Sequence, residues 1–141
     1  MLKDSQTGLY YEEYFNELLA LEKKRCKQSE RPVLFMLADL STFTDVTERQ
    51  KIAQSMMDAL SYVTRDTDVK GWHVDGLVIG IMFTEITSKE TTSSLALRRI
   101  AHKCSRRLEY SLGVKDYSRI HITWQLLHSG HILDIHTVSN K

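Results

Sequence analysis

Two runs of strand-forming residues, Val69 to Val74 and Leu77 to Phe83, are separated by the dipeptide Asp75-Gly76. This is the most restrictive local signal in the chain. A two-residue type I′ turn needs positive φ at both central positions, and Asp-Gly is one of the few dipeptides that supplies it. The spacing predicts an antiparallel hairpin, and the flanking segments are read outward from it. Upstream, Ile52, Met56, Ala59, Leu60 and Val63 recur three or four apart, which predicts an amphipathic helix over about 45–64. Before that helix, Val33-Leu34-Phe35-Met36-Leu37-Ala38 is a continuous apolar run ending at Asp39, as expected for a strand covered on both faces and placed mid-sheet. A first helix over 11–29 carries Tyr14, Phe15, Leu18, Leu19 and Leu21, and stops before Pro32.

Downstream, Leu97, Ile100, Ala101, Cys104 and Leu108 share one face of a helix over about 89–112, which Gly113 ends. Residues 119–127 read as a strand, and Gly130 turns it into a short final strand over 132–135. A helix followed by β-α-β-β-α-β is the split βαβ, or ferredoxin-like, arrangement. The expected class is α+β: an antiparallel-rich sheet flanked by helices, in a single domain over 1–141.

Composition narrows the function classes. Nineteen basic and eighteen acidic residues leave a net charge of +1, which argues against a protein held to a nucleic acid polymer by bulk charge. Cys26 and Cys104 lie far apart on helical patterns, without a C-x-x-C pair, so they read as packed thiols in a reducing compartment. The sequence has no apolar run of membrane-spanning length and no leader-like start, so the expected location is cytoplasmic, with no membrane insertion of this segment. His121, His128, His131 and His136 lack the spacing of a metal site and read as packed or solvated. Lys23-Lys24-Arg25-Lys27 and Lys103 with Arg106-Arg107 read as solvated helix faces, and Trp72 and Trp124 as core or interface aromatics.

Three landmarks resemble one family. Asp4-Ser5-Gln6-Thr7-Gly8-Leu9 followed by Phe15 resembles the D-x-L-T-G-L-x-N-R-R-x-F opening of GGDEF domains, the diguanylate cyclases of bacteria. The buried strand ending in Asp39, with Phe43 four residues on, is similar to that family's D-x-D-x-F strand end. Asp68-Val69-Lys70-Gly71 leads into the hairpin as D-x-x-x-R-Y leads into the G-G-D-E-F turn, which places Val74, Asp75, Gly76, Leu77 and Val78 on the five motif letters. The resemblance runs from residue 4 to about 127 and implies a palm-type, nucleotide cyclase-like fold.

The departures bear on activity. The resemblance implies a Mg²⁺ site of two carboxylates that neutralises triphosphate charge and activates the attacking hydroxyl. Asp39 retains the first, as a vestigial metal candidate, while Gly76 and Leu77 replace the hairpin acidic pair. The motif glycines become Val74 and Asp75, the guanine-binding Asn falls at Thr47, and Asn-Arg-Arg reads Tyr11-Glu12-Glu13. No catalytic residues and no cofactor are therefore expected.

One site of the family is retained. Arg65-Asp66-Thr67-Asp68 is R-x-x-D at the position of the inhibitory site that binds cyclic di-GMP, with Arg98, or its neighbour Arg99, on the third helix as the second arginine. Guanidinium can pair with guanine O6 and N7, and a carboxylate can accept from N1 and N2. The plain alternatives are a helix-end cation with a turn carboxylate for Arg65 and Asp68, and a loop cap over Ser41-Thr42 for Asp39. The leading expectation is an inactive regulatory domain that receives cyclic di-GMP. A ligand-independent protein-interaction or homodimerisation module comes second, and an active cyclase last.

Overall fold

The structure, a computed structural model, describes residues 2–29, 31–84, 94–129 and 131–135. Its elements are α1 (Glu12–Ser29), β1 (Val33–Asp39), α2 (Val46–Leu60), β2 (Val69–Val74), β3 (Val78–Phe83), α3 (Ser94–Leu112), α4 (Val114–Ser118), β4 (His121–His128) and β5 (His131–Ile135). The five strands form one sheet in the order β2-β3-β1-β4-β5, and every neighbouring pair is antiparallel. This is the α+β class expected from the sequence. The apolar run of β1 takes the centre, between β3 and β4. The start expected for the third helix, residues 89–93, and the turn at Gly130 lie outside the described residues, as does His136.

Period-two alternation along β1 divides the core in two. Val33 and Phe35 face α1, where they pack with Phe15, Leu19, Cys26, Met82 and Leu127. Leu34, Met36 and Ala38 face α2 and α3, where they meet Met56, Leu60, Ala101, Cys104 and Leu108. Helices thus cover both faces of the sheet. Trp72 and Trp124 are core residues, each 2% exposed, and both cysteines are buried and free.

The α1 side needs room for one large ring. Phe15 is fully buried and lies across Gly71 and Gly80, which pair directly between β2 and β3. A Cβ at Gly80 would fall 2.8 Å from the Phe15 ring, and one at Gly71 closer still. The two glycines are a trough for that side chain. The opening segment is held by Asp4, whose carboxylate accepts from Gln6 N–H and Thr7 Oγ1, both at 3.0 Å, while Gly8 takes φ +79°. Tyr10 then bridges to β2: its N–H donates to Lys70 O at 3.2 Å and its carbonyl accepts from Trp72 N–H at 2.9 Å.

At the C-terminus of α2, Thr64 donates to Leu60 O and residues 61–63 turn out of the helix, so the periodic pattern overruns the regular element by four residues. Gly113, at φ +88°, closes α3 by donating to Glu109 O at 2.8 Å. The short helix α4 that follows has no apolar period of its own, and no sequence signal announced it.

Candidate functional site

The C-terminal end of β1 and the β2–β3 turn meet at one corner of the sheet. Asp39 sits in register with Val78 on one side and His121 on the other. Leu40 N–H donates to Leu77 O at 2.8 Å, so the hairpin turn is bonded to the end of the central strand.

The turn differs from the expected type I′. Leu77 N–H donates to Val74 O at 3.0 Å, Gly76 has φ +73°, and Asp75 does not have positive φ. Positive φ at the second central position alone is the type II requirement. The loop spans 75–77, and a bulge between Trp72 and Val74 takes up the strand's extra residue. The physical reason lies in α1. Asp75 Oδ1 accepts from Glu12 N–H at 2.8 Å, and Asp75 N–H donates to Glu12 Oε1 at 2.8 Å. Asp75 thereby caps the first turn of α1 from 63 residues away, and this reciprocal pair fixes its backbone.

A second clamp crosses the corner. Arg49, on α2, donates from Nε to Gly76 O at 3.0 Å and from Nη1 to Phe43 O at 2.7 Å. Arg119 stacks on the Phe43 ring with its Cζ 4.1 Å from the centroid, donates to Thr42 O at 3.2 Å, and lies 3.7 Å from a Glu48 carboxylate oxygen. Thr42 Oγ1 donates in return to Arg119 O. Asp39 Oδ1 accepts from Ser41 N–H at 2.9 Å, as expected of a loop cap. A two-carboxylate Mg²⁺ site does not fit this corner: Gly76 and Leu77 offer no side-chain ligand beside Asp39. Among the described residues no group of three His, Cys, Asp or Glu side chains could hold a metal ion.

Arg65 and Asp68 share one turn on the path from α2 to β2. Arg65 N–H donates to Asp68 Oδ2 at 2.8 Å, and Asp68 N–H donates to Arg65 O at 2.9 Å. Asp68 Oδ1 accepts from Thr84 N–H at 3.4 Å, past the end of β3. Burial pushes the Cys104 thiol up to about 12, and the negative charge of Asp68 adds to that rise, so Asp68 lies within electrostatic reach of α3. Arg65 is exposed, as are Arg98 and Arg99 on α3.

No protein-family model and no curated protein matches the sequence. Solved structures match its fold. The GGDEF domain of FimX from Pseudomonas aeruginosa superposes with a TM-score of 0.65 at 11% identity, over 93% of this chain and 83% of that one. The GGDEF domain of DgcB from Caulobacter crescentus, in complex with c-di-GMP, gives 0.58 at 14% identity, over 97% and 82%. The chain has the GGDEF-domain fold. The diguanylate cyclase SiaD of Pseudomonas aeruginosa, in complex with its activator SiaC, gives 0.57 at 15% identity, over 89% of this chain and 48% of that one.

On the GGDEF fold, the hairpin that joins β2 to β3 here carries Val74, Asp75, Gly76, Leu77 and Val78, with Asp75 turned to α1. Sequence reasoning missed Arg49 and Arg119, because their partners are backbone carbonyls and a ring that no pattern marks. It also missed the clasp between Asn16 and His73. Asn16 Nδ2 donates to His73 O at 3.1 Å, which leaves Asn16 Oδ1 facing His73 Nδ1 at 2.8 Å, so Nδ1 carries the proton. Burial lowers the His73 pKa, and Lys23 lowers it further against an opposing pull from Glu12.

Proposed function

We propose that this chain is a catalytically inactive GGDEF-like domain that receives cyclic di-GMP through Arg65 and Asp68, with Arg98 as the second arginine. The observation that carries the first half is the bonding of the turn. Asp75 is joined to Glu12, Gly76 O to Arg49 and Leu77 O to Leu40, while no carboxylate stands at 76 or 77. A turn that must cradle a triphosphate and a metal needs its polar groups turned toward ligand. Here they serve helix capping and loop closure.

The second half is supported by the Arg65–Asp68 turn. Its backbone is fixed by the aspartate, whose carboxylate has about four lone-pair directions and so can accept from a base as well as from amides. A DgcB GGDEF domain of the same fold is described in complex with c-di-GMP. Incubation with GTP and Mg²⁺ is expected to yield no cyclic dinucleotide. Cyclic di-GMP at about 100 times its Kd should add about 2.7 kcal/mol of stability, and GTP none. Any cyclic dinucleotide formed, or an unfolding temperature unmoved by cyclic di-GMP, contradicts the corresponding half.

A ligand-independent interaction module is the second reading. The observation that favours it is the exposure of two large aromatic side chains, Tyr62 at 71% and Tyr110, on α3, at 82%.

A further inference from the structure

The outer face of α3 holds a concentration of positive charge of which the proposed ligand site uses only Arg98. Arg98, Arg99, Lys103, Arg106 and Arg107 stand against the single carboxylate Glu109 on this helix. The whole chain carries only +1, so the rest of the molecule is net acidic. Arg99, Lys103, Arg106 and Tyr110 recur at helical spacing and line, with Val63 and Arg107, an open groove of about 470 Å³ between α3 and the end of α2. From Arg99 to Tyr110 the stripe runs roughly 16 Å along the helix axis.

The groove is ordered by its aromatics. The Arg107 guanidinium lies 4.0 Å from the Tyr62 ring centroid and 5.7 Å from that of Tyr110, and its Nε is buried with no hydrogen-bond partner among the described residues. Stacking holds that cation in place without neutralising it. Among the described residues no carboxylate lines the groove.

We infer that this groove docks an acidic amphipathic helix of a protein partner. Its carboxylates would meet the cation stripe, and its apolar side chains the Val63 floor and the aliphatic stems of the arginines. Arginine and tyrosine together are the residue types that anchor protein interfaces. A nucleic acid strand is the poorer fit: the stripe is short, the chain around it is net acidic, and Arg107 already covers one face of Tyr62.

The test is fluorescence anisotropy at physiological salt with a labelled sixteen-residue probe of Glu and Leu at helical spacing. A composition-matched probe with the leucines dispersed and a fifteen-nucleotide oligothymidine serve for comparison. The amphipathic probe should bind saturably and at least about tenfold more tightly than either comparison, a difference of about 1.4 kcal/mol. Lys103→Glu with Arg106→Glu, both exposed, should abolish binding without changing the circular dichroism, and Tyr62→Ala with Tyr110→Ala should weaken it. Equal affinity for the dispersed probe, tighter binding of the oligonucleotide, or binding that survives the charge reversal would each overturn the inference. Cyclic di-GMP binding should be unaffected by these substitutions, which separates the groove from the Arg65 site.

Discussion

At the scale of one residue, Asp75 ties the hairpin to the start of α1. Its carboxylate and amide both engage Glu12, closing the α1 terminus onto the hairpin. Asp75→Ala is expected to cost about 1 kcal/mol, the usual loss of a helix cap. Glu12→Ala should cost a similar amount, and the double variant less than the sum, because each side chain acts through the other residue. Additive losses in urea unfolding would show that the pair is not coupled. His73 gives the residue-scale pH dependence. Burial holds its pKa below the ordinary 6.5, so the unfolded chain binds the proton more readily. Its contribution is fully present above about pH 6.5 and is lost as pH falls through the lower folded value. Stability should therefore rise with pH across that window, and His73→Gln should flatten the rise; an unchanged profile in the variant would assign it to other groups.

Elements were legible where a single segment determines them. The apolar run of β1, the periodic faces of α2 and α3 and the hairpin all follow from local pattern, and the strand bounds agree within two residues. Turn type was not legible. Asp75-Gly76 satisfies the I′ rule locally, but a helix terminus 63 residues away captures Asp75 and leaves only Gly76 at positive φ. The corner clamps are hidden for the same reason: Arg49 and Arg119 find carbonyls and a ring that only the folded sheet brings near. The Gly71–Gly80 pair is another such case, since neither glycine sits in a turn. Gly80→Ala should cost about 1–3 kcal/mol through the clash with Phe15. Phe15→Leu should recover part of that loss in the double variant. A Gly80→Ala protein as stable as the parent would mean that the ring can move aside.

For the whole molecule, the architecture of a GGDEF domain is present, and its β2–β3 turn is hydrogen-bonded to α2 and to the end of β1. The fold alone does not assign chemistry, so the proposed function is drawn from the residues at that corner and from the Arg65–Asp68 turn. The proposed function places ligand binding in that turn and not in the hairpin. Calorimetric titration of cyclic di-GMP into the parent protein, Arg65→Ala and Asp75→Ala tests it most directly. Saturable heat in the parent, retained in Asp75→Ala and lost in Arg65→Ala, is the expected result. No heat in the parent at tens of micromolar protein, or binding that persists unchanged in Arg65→Ala, would contradict it.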